Sequence, residues 1–217
     1  MSLFGDLRDY RRRHGLARTA TRLASESLKR TGLFRHSVFV LLRPEDVDRS
    51  AYDAALPYER RLVSAADMAT LAAQLPADLP PAFLEDARRR GDSCYVILDR
   101  GELVSFGWYA PRIGRLFERD FSFNEDWVYM YHGFTLPKYR GQRLHAMGLA
   151  EAMRCFCERG KRGLISTVNS TNYASLASIE RLGFVASGSL VQLGHGTFSA
   201  RLASPATRPY SIRFMAV

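Results

Sequence analysis

The sequence predicts one α/β domain behind a basic N-terminal arm. Three observations carry this expectation. Strand-like and helix-like segments follow one another in the order strand, helices, three strands, helix, strand, helix, two strands. The chain has 217 residues, 47% apolar and 24% charged, enough for one packed core with an ordinary globular balance. The net charge of +9 is concentrated at one end, where residues 1–36 hold nine Lys/Arg against three Asp/Glu.

Within residues 1–35, Leu16, Ala20, Leu23, Ala24 and Leu28 fall at roughly helical spacing, and Gly32 is a stop. This arm is expected to pack on the domain as a helix or to stand solvated. Phe4, Leu7 and Arg11-Arg12-Arg13 also suit a membrane-surface or partner-docking helix. The domain proper is expected over residues 36–217. "HSVFVLL" is a strand bounded by Pro44. Residues 44–92 read as loops and short helices, with Asp67 placed to cap "MATLAAQL" and Pro80-Pro81 to start "AFLEDARRR", which Gly91 ends. "CYVILD" and "ELVSFGWYA" are strands joined by a tight turn at Arg100-Gly101. Residues 111–126 read as a longer connection rich in Arg and Phe. "WVYMYHGFTL" is an aromatic strand closed by Pro137. The helix after Gly141 runs to about Arg159, with apolar rows Ala146, Ala150, Met153, Cys157 and Leu149, Ala152, Phe156. "GLISTV" is a strand, and Asn172 caps "YASLASIERL", which Gly183 stops. "FVASGSLVQL" and the tail "RPYSIRFMAV" are the last strands.

The positive charge favours anionic partners. Because most of the excess lies in the arm, the rest is only mildly basic, and no nucleic-acid partner is expected. Cys94, Cys155 and Cys157 are odd in number and lack framework spacing, which argues against a secreted disulfide scaffold. Cys155 and Cys157 stand two apart on an expected helix, face apart, and make a poor metal pair. No apolar run reaches the length of a membrane span, and the N-terminus lacks a signal peptide's apolar core. The expectation is a cytoplasmic protein, peripheral at a membrane only through residues 1–35.

Chemistry gathers after Pro137. A strand ends there, Lys138-Tyr139-Arg140-Gly141-Gln142-Arg143 makes a turn, and a helix begins. Unpaired N–H groups at a helix start face the positive end of the macrodipole, Gly141 lets backbone approach a ligand, and Arg140 and Arg143 add charge. On this segment alone two readings stand: a cradle suited to a diphosphate, or an ordinary helix start with two solvated arginines.

"FTLPKYRGQRL" before a helix and a strand, then "NSTNYASLASIERLGF", resembles the GNAT superfamily of acetyl-CoA-dependent acyltransferases. The matching positions are Thr135, Pro137, Tyr139, Arg140 and Gly141, then Asn172, Ser175, Leu182, Gly183 and Phe184. The resemblance implies a mixed, mostly antiparallel sheet flanked by helices, with a V-shaped split between two central strands. It implies acetyl-CoA, a coenzyme A thioester, as co-substrate. The pyrophosphate would rest on backbone N–H groups of Arg140, Gly141, Gln142, Arg143, Leu144 and His145. The pantetheine arm would pair with the backbone of Phe134, Thr135 and Leu136, and this strand would supply an N–H to the thioester carbonyl. Asn172 and Ser175 would lie near the pantetheine.

This sequence departs from the family pattern. His145 stands where a small residue is usual and is expected either on the helix surface or on the phosphate. The positions of the usual Glu base are Tyr129 and Thr167, and that of the usual Tyr acid is Ile179. Positioning alone supplies roughly 7–11 kcal/mol, against about 4–5 kcal/mol to deprotonate a lysine-like amine. Tyr129 by place and His132 by pKa are the catalytic candidates, with Tyr131 and Tyr173 behind them; each also reads as core or lining. Alternation puts Tyr129 and Tyr131 on one face and His132 on the other unless a bulge turns the strand. Trp108, Tyr109, Phe121, Phe123 and Trp127 are candidates for the acceptor pocket, or for core.

The expected function is transfer of acetyl from acetyl-CoA to a primary amine, on a small molecule or peptide, by direct attack in a ternary complex. No cysteine stands in the motif strand to serve as a nucleophile. The alternatives are a longer-chain acyltransferase near a membrane and a non-catalytic coenzyme A-binding scaffold.

Overall fold

The computed structural model describes residues 33–47, 57–75, 77–195 and 198–215, together with 15–17, 20 and 27. Positions 15–17, 20 and 27 are helical; the remaining expectations for residues 1–32 lie outside the described residues. In chain order the strands are β1 (Phe34–Leu42), β2 (Glu59–Ser64), β3 (Ser93–Asp99), β4 (Glu102–Ala110), β5 (Ile113–Leu116), β6 (Arg119–Ser122), β7 (Trp127–Thr135), β8 (Gly163–Asn169), β9 (Val185–His195), β10 (Phe198–Ala203) and β11 (Arg213–Phe214). The helices are α1 (Ala69–Ala72), α2 (Pro81–Arg90), α3 (Leu144–Glu158) and α4 (Tyr173–Glu180). β1 thus starts inside the stretch assigned to the arm.

One sheet of eight strands runs β10-β9-β1-β8-β7-β4-β3-β2, and β11-β6-β5 form a second. Every neighbouring pair in the large sheet is antiparallel except β7 and β8. The sheet is therefore mixed and mostly antiparallel, as expected. α3 covers one face, burying Met147, Leu149, Ala152 and Phe156 on Tyr95, Ile97, Tyr109, Val128 and Met130. Each large apolar side chain buried there contributes about 1.5–3 kcal/mol. The opposite face is shared: Val96, Phe106 and Trp108 pack with Met68 and Ala87, while Phe39, Leu41, Tyr129 and Ile165 pack under Phe121 and Phe123 of the second sheet and the strand end beyond it.

Local chemistry explains several boundaries. Arg100 (φ 49) and Gly101 (φ 85) make the two-residue turn whose twist suits a hairpin. Pro81 opens α2, and left-handed Gly91 closes it while the Asp92 amide bonds back to the Ala87 carbonyl at 2.9 Å. Asp67, however, caps nothing: it accepts from Ser64 Oγ at 2.6 Å, and the expected helix shrinks to four residues, Ala69–Ala72. Residues 111–126 are not a plain connection but carry β5 and β6, turned by Phe117 (φ 54) and Glu118 (φ 60). β2 lies inside 44–92, and the tail begins in a 3-10 turn, Pro205–Tyr210, with strand among its described residues only at Arg213–Phe214.

The split lies between β7 and β8. Their parallel register runs from Trp127↔Gly163 to Met130↔Ser166 and stops, although β7 continues to Thr135 and β8 to Asn169. The cause sits on the other side of β7. Trp108 pairs with Tyr131 and Phe106 with Phe134, so His132 and Gly133 together oppose Gly107. This is a bulge, with His132 at φ 48, and a bulge bends its strand.

Candidate active site

α3 begins without a side-chain cap; its N-cap residue, Arg143, is left-handed at φ 59, and Gly141 two residues earlier has φ 86. The first helical bond is Met147 N–H to the Arg143 carbonyl at 3.0 Å. None of the six amides from Gly141 to Ala146 finds an acceptor among the described residues. A Cβ on Gly141 would meet nothing within 4 Å, so glycine serves the positive φ here and not a crowded wall. The turn is anchored from outside. Tyr58 Oη donates to Gln142 Oε1 at 2.7 Å, and Tyr139 Oη to Asp99 Oδ2 at 2.7 Å. Arg143 is exposed.

The strand edge beside this turn is open. Leu136 N–H donates to the Val104 carbonyl at 2.9 Å, and Ser105 Oγ donates to the Phe134 carbonyl at 2.9 Å. Phe134 and Leu136 thus turn their backbone groups toward β4, and by alternation Thr135 turns its own toward the split. Of the three residues expected to pair with a pantetheine arm, Thr135 is the one presented. Its carbonyl accepts Arg140 Nε at 3.2 Å, so Arg140 folds back along the strand edge instead of reaching over the helix start.

The bulge decides two histidines. His132 is turned onto the same face as Tyr131. Its ring lies 5.0 Å from that of Phe83 and stacks on Phe106 at 5.5 Å. Burial holds its pKa below the usual value, with Asp78 opposing, which favours the neutral imidazole that can accept a proton. His145 meets neither expectation: its side chain is neither on the helix surface nor at the turn before α3. It points into the sheet, beside Tyr95, Ser105, Gly107 and Tyr109, and a Cβ on Gly133 would stand 2.3 Å from its Cε1. The room a small helix residue would leave is left here by glycine on the strand. Burial also lowers the His145 pKa.

Tyr129 is buried, and its hydroxyl shares a 2.8 Å hydrogen bond with Thr167 Oγ1 across the base of the split. Burial pushes its pKa up to about 12, so it is a poor base. Next to it lies a cluster the sequence reading missed. Tyr131 Oη donates to Asp92 Oδ2 at 2.5 Å, Arg90 Nη2 reaches the same carboxylate at 2.9 Å, and Asp92 is closed from solvent. Burial raises the Asp92 pKa and, with the carboxylate beside it, that of Tyr131. Arg90 ends α2, Asp92 lies in the short connection to β3, and Tyr131 stands in the middle of β7, so no local signal joins the tyrosine to the ion pair. Ile179 is buried in the core under α3. Asn172 Oδ1 accepts from Ser175 N–H at 3.2 Å and caps α4 just beyond the open end of β8.

Trp108, Tyr109, Phe121, Phe123 and Trp127 are all buried, between 0% and 5% exposed, and are core rather than an acceptor platform. The space beside the split is instead a cleft of about 420 Å³ lined by Arg35, Ser37, Leu116, Phe117, Thr167 and Asn169. No helix among the described residues is long and apolar enough to cross a membrane.

A sequence model of the Acetyltransferase (GNAT) family matches residues 59–184, more than half of the chain. No curated protein matches it. Among solved structures, a GCN5-related N-acetyltransferase-like protein from Streptococcus suis superposes with a TM-score of 0.50 at 15% identity, over 79% of this chain and 63% of that one. A GCN5-related N-acetyltransferase from Kribbella flavida gives 0.47 at 14% identity, over 83% and 63%. The aminoglycoside N-acetyltransferase AAC(6')-Iy, in complex with CoA, gives 0.46 at 19% identity, over 58% and 91%. At such identities the likeness is one of fold. The chain spans less than two thirds of the length of the two GCN5-related proteins.

Proposed function

The chain belongs to the GNAT family of acetyltransferases, and on that premise we propose that it transfers acetyl from acetyl-CoA to a primary amine by direct attack. The observation that carries this reading is the run of six unpaired amides at the start of α3, flush with the strand edge freed by the split. The amides and Arg143 take the pyrophosphate, whose charge suits the helix start. The open edge at Thr135 pairs with the pantetheine amides, after Arg140 gives up an exposed hydrogen bond worth about 1 kcal/mol. An open-edge amide of β7 stabilises the oxyanion that forms on the thioester carbonyl. His132, neutral and on the acceptor face, takes the proton the amine sheds, and the sulfur leaves as thiolate. Positioning supplies most of the rate, since no carboxylate stands at Tyr129 or Thr167 and no phenol at Ile179.

Isothermal titration with acetyl-CoA tests the binding, and thiol release over a panel of amines tests the transfer. Wild type is expected to bind, and Arg143→Glu to bind at least tenfold more weakly with an unchanged melting temperature. No heat with wild type sinks the proposal. Binding with no turnover on any amine supports the scaffold alternative, which the locked Tyr129–Thr167 pair favours.

A further inference from the structure

We propose that the cleft under the β5–β6 hairpin is an anion subsite that selects amine acceptors carrying a carboxylate several bonds from the amine. The inference rests on the proposed acetyl transfer for the amine end, and on separate observations for the anionic end. Thr167, at the split, forms one end of the cleft, and Arg35 lines the other. Arg35, Gln192 and Arg201 are direct neighbours across β1, β9 and β10, so their side chains share the face that carries the cleft. Arg201 Nε is buried with no hydrogen-bond partner among the described residues, and so is Gln192 Oε1. A buried guanidinium N–H without an acceptor is costly, and a ligand oxygen supplies what it lacks.

The charge balance points the same way. After burial, the charges of Arg119 and Arg35 oppose that of Arg201, and Glu118 favours it. Among the described residues, three guanidiniums therefore meet one carboxylate. That carboxylate, Glu118, bonds Arg35 Nη1 at 2.8 Å from the hairpin tip and is 71% exposed, against 28% for Arg35. Ser37 and Asn169 make the floor polar, and Leu116 and Phe117 offer an apolar wall for an alkyl chain.

The register sets the length of the acceptor. Phe39 pairs with Thr167 at the level of the split, and Arg35 lies four residues along β1. Four residues of strand span about 13 Å. The arginine side chain reaches back over part of that distance, which leaves on the order of 6–10 Å between amine and carboxylate. An ω-amino acid such as 6-aminohexanoate has this span.

Two measurements test the subsite. In the first, 6-acetamidohexanoate and N-hexylacetamide, product analogues differing in the carboxylate, are titrated into wild type, Arg35→Gln and Arg201→Gln without coenzyme A. The carboxylate is expected to bind wild type at least tenfold tighter than the neutral analogue, and each variant to erase most of that difference while melting cooperatively. In the second, kcat/KM for 6-aminohexanoate is compared with that for hexylamine, and a preference of at least tenfold is expected. Equal binding of the two analogues, no binding of either, or a preference the variants leave intact overturns the subsite. If acetyl-CoA itself fails to bind, the proposed transfer falls, yet the first titration still reads the anion subsite by itself.

Discussion

Gly133→Ala is the substitution that most directly tests how β7 and α3 fit together. The new Cβ would stand 2.3 Å from His145 Cε1 and 3.0 Å from its Nδ1. That is more than about 1 Å inside the 3.5–4.0 Å at which carbon atoms pack. The ring has nowhere cheap to go, since Tyr95, Tyr109 and Leu149 line the same pocket. Gly133 is not among the positive-φ glycines, so the effect is steric and carries no backbone strain. Overpacking of this kind costs about 1–3 kcal/mol, and the stiffer unfolded chain returns about 0.4–1 kcal/mol. The net loss of up to roughly 2.6 kcal/mol corresponds to a melting temperature lower by up to about 10 °C for a chain of this size. Calorimetry on wild type, Gly133→Ala, His145→Ala and the double variant completes a cycle. The double variant is expected to exceed the sum of the two single changes by at least ~1 kcal/mol, because truncating His145 removes the clash. Additivity within ~0.5 kcal/mol would show that the ring and the strand do not compete for one space, and the packing argument fails.

His132→Gln should lower kcat by about 10²–10⁴-fold with little change in acetyl-CoA affinity, read by thiol release and titration; unchanged kcat removes His132 from the chemistry. Burial lowers the pKa of His36, His132 and His145 below 6.5, so the unfolded chain binds more protons than the folded one just under that pH. Their contribution to stability is therefore full above pH 6.5 and is lost as pH falls toward their folded values, and urea midpoints at pH 7.5 should exceed those at pH 5.5. His145→Gln should flatten that slope. Asp92→Asn leaves Arg90 facing a neutral group in a closed site and should cost about 3–5 kcal/mol, seen as a melting temperature lower on the order of 10 °C.

What could be read from the chain without coordinates follows from where the information sits. α2, the Arg100-Gly101 turn, the Asn172 cap and the turn after Pro137 are punctuated by Pro, Gly and Asn at their own boundaries, and all were foreseen. The β5–β6 hairpin was not, because Phe117 and Glu118 take left-handed φ without the Gly or Asn that announces such a turn. β2 begins Glu59-Arg60-Arg61, charges that suit an exposed sheet edge and read as loop. The same division runs through the candidate site. The helix start is a contiguous motif, whereas Asp92 with Tyr131 and Arg201 with Arg35 are brought together only at long range, the first by a side-chain hydrogen bond and the second by strand pairing. The inward turn of His145 did leave a trace: Gly133 on the facing strand and Gly148 one turn along the helix, where a Cβ would touch Tyr95 at 3.0 Å.

One irregularity ties these pieces together. The extra residue in β7 opposite Gly107 ends the pairing with β8 after Met130, brings His132 onto the face of Tyr131 and points Gly133 at His145. A regular strand would close the split with backbone hydrogen bonds and send His132 toward α3. The opening proposed for the thioester and the base proposed beside it therefore arise from the same distortion. It is held in place by packing on both sides, with Phe83 and Phe106 against His132 and the His145 ring against Gly133. In a chain that lacks the usual acidic and phenolic groups, the geometry of this bulge carries more of the proposed catalysis than any one side chain.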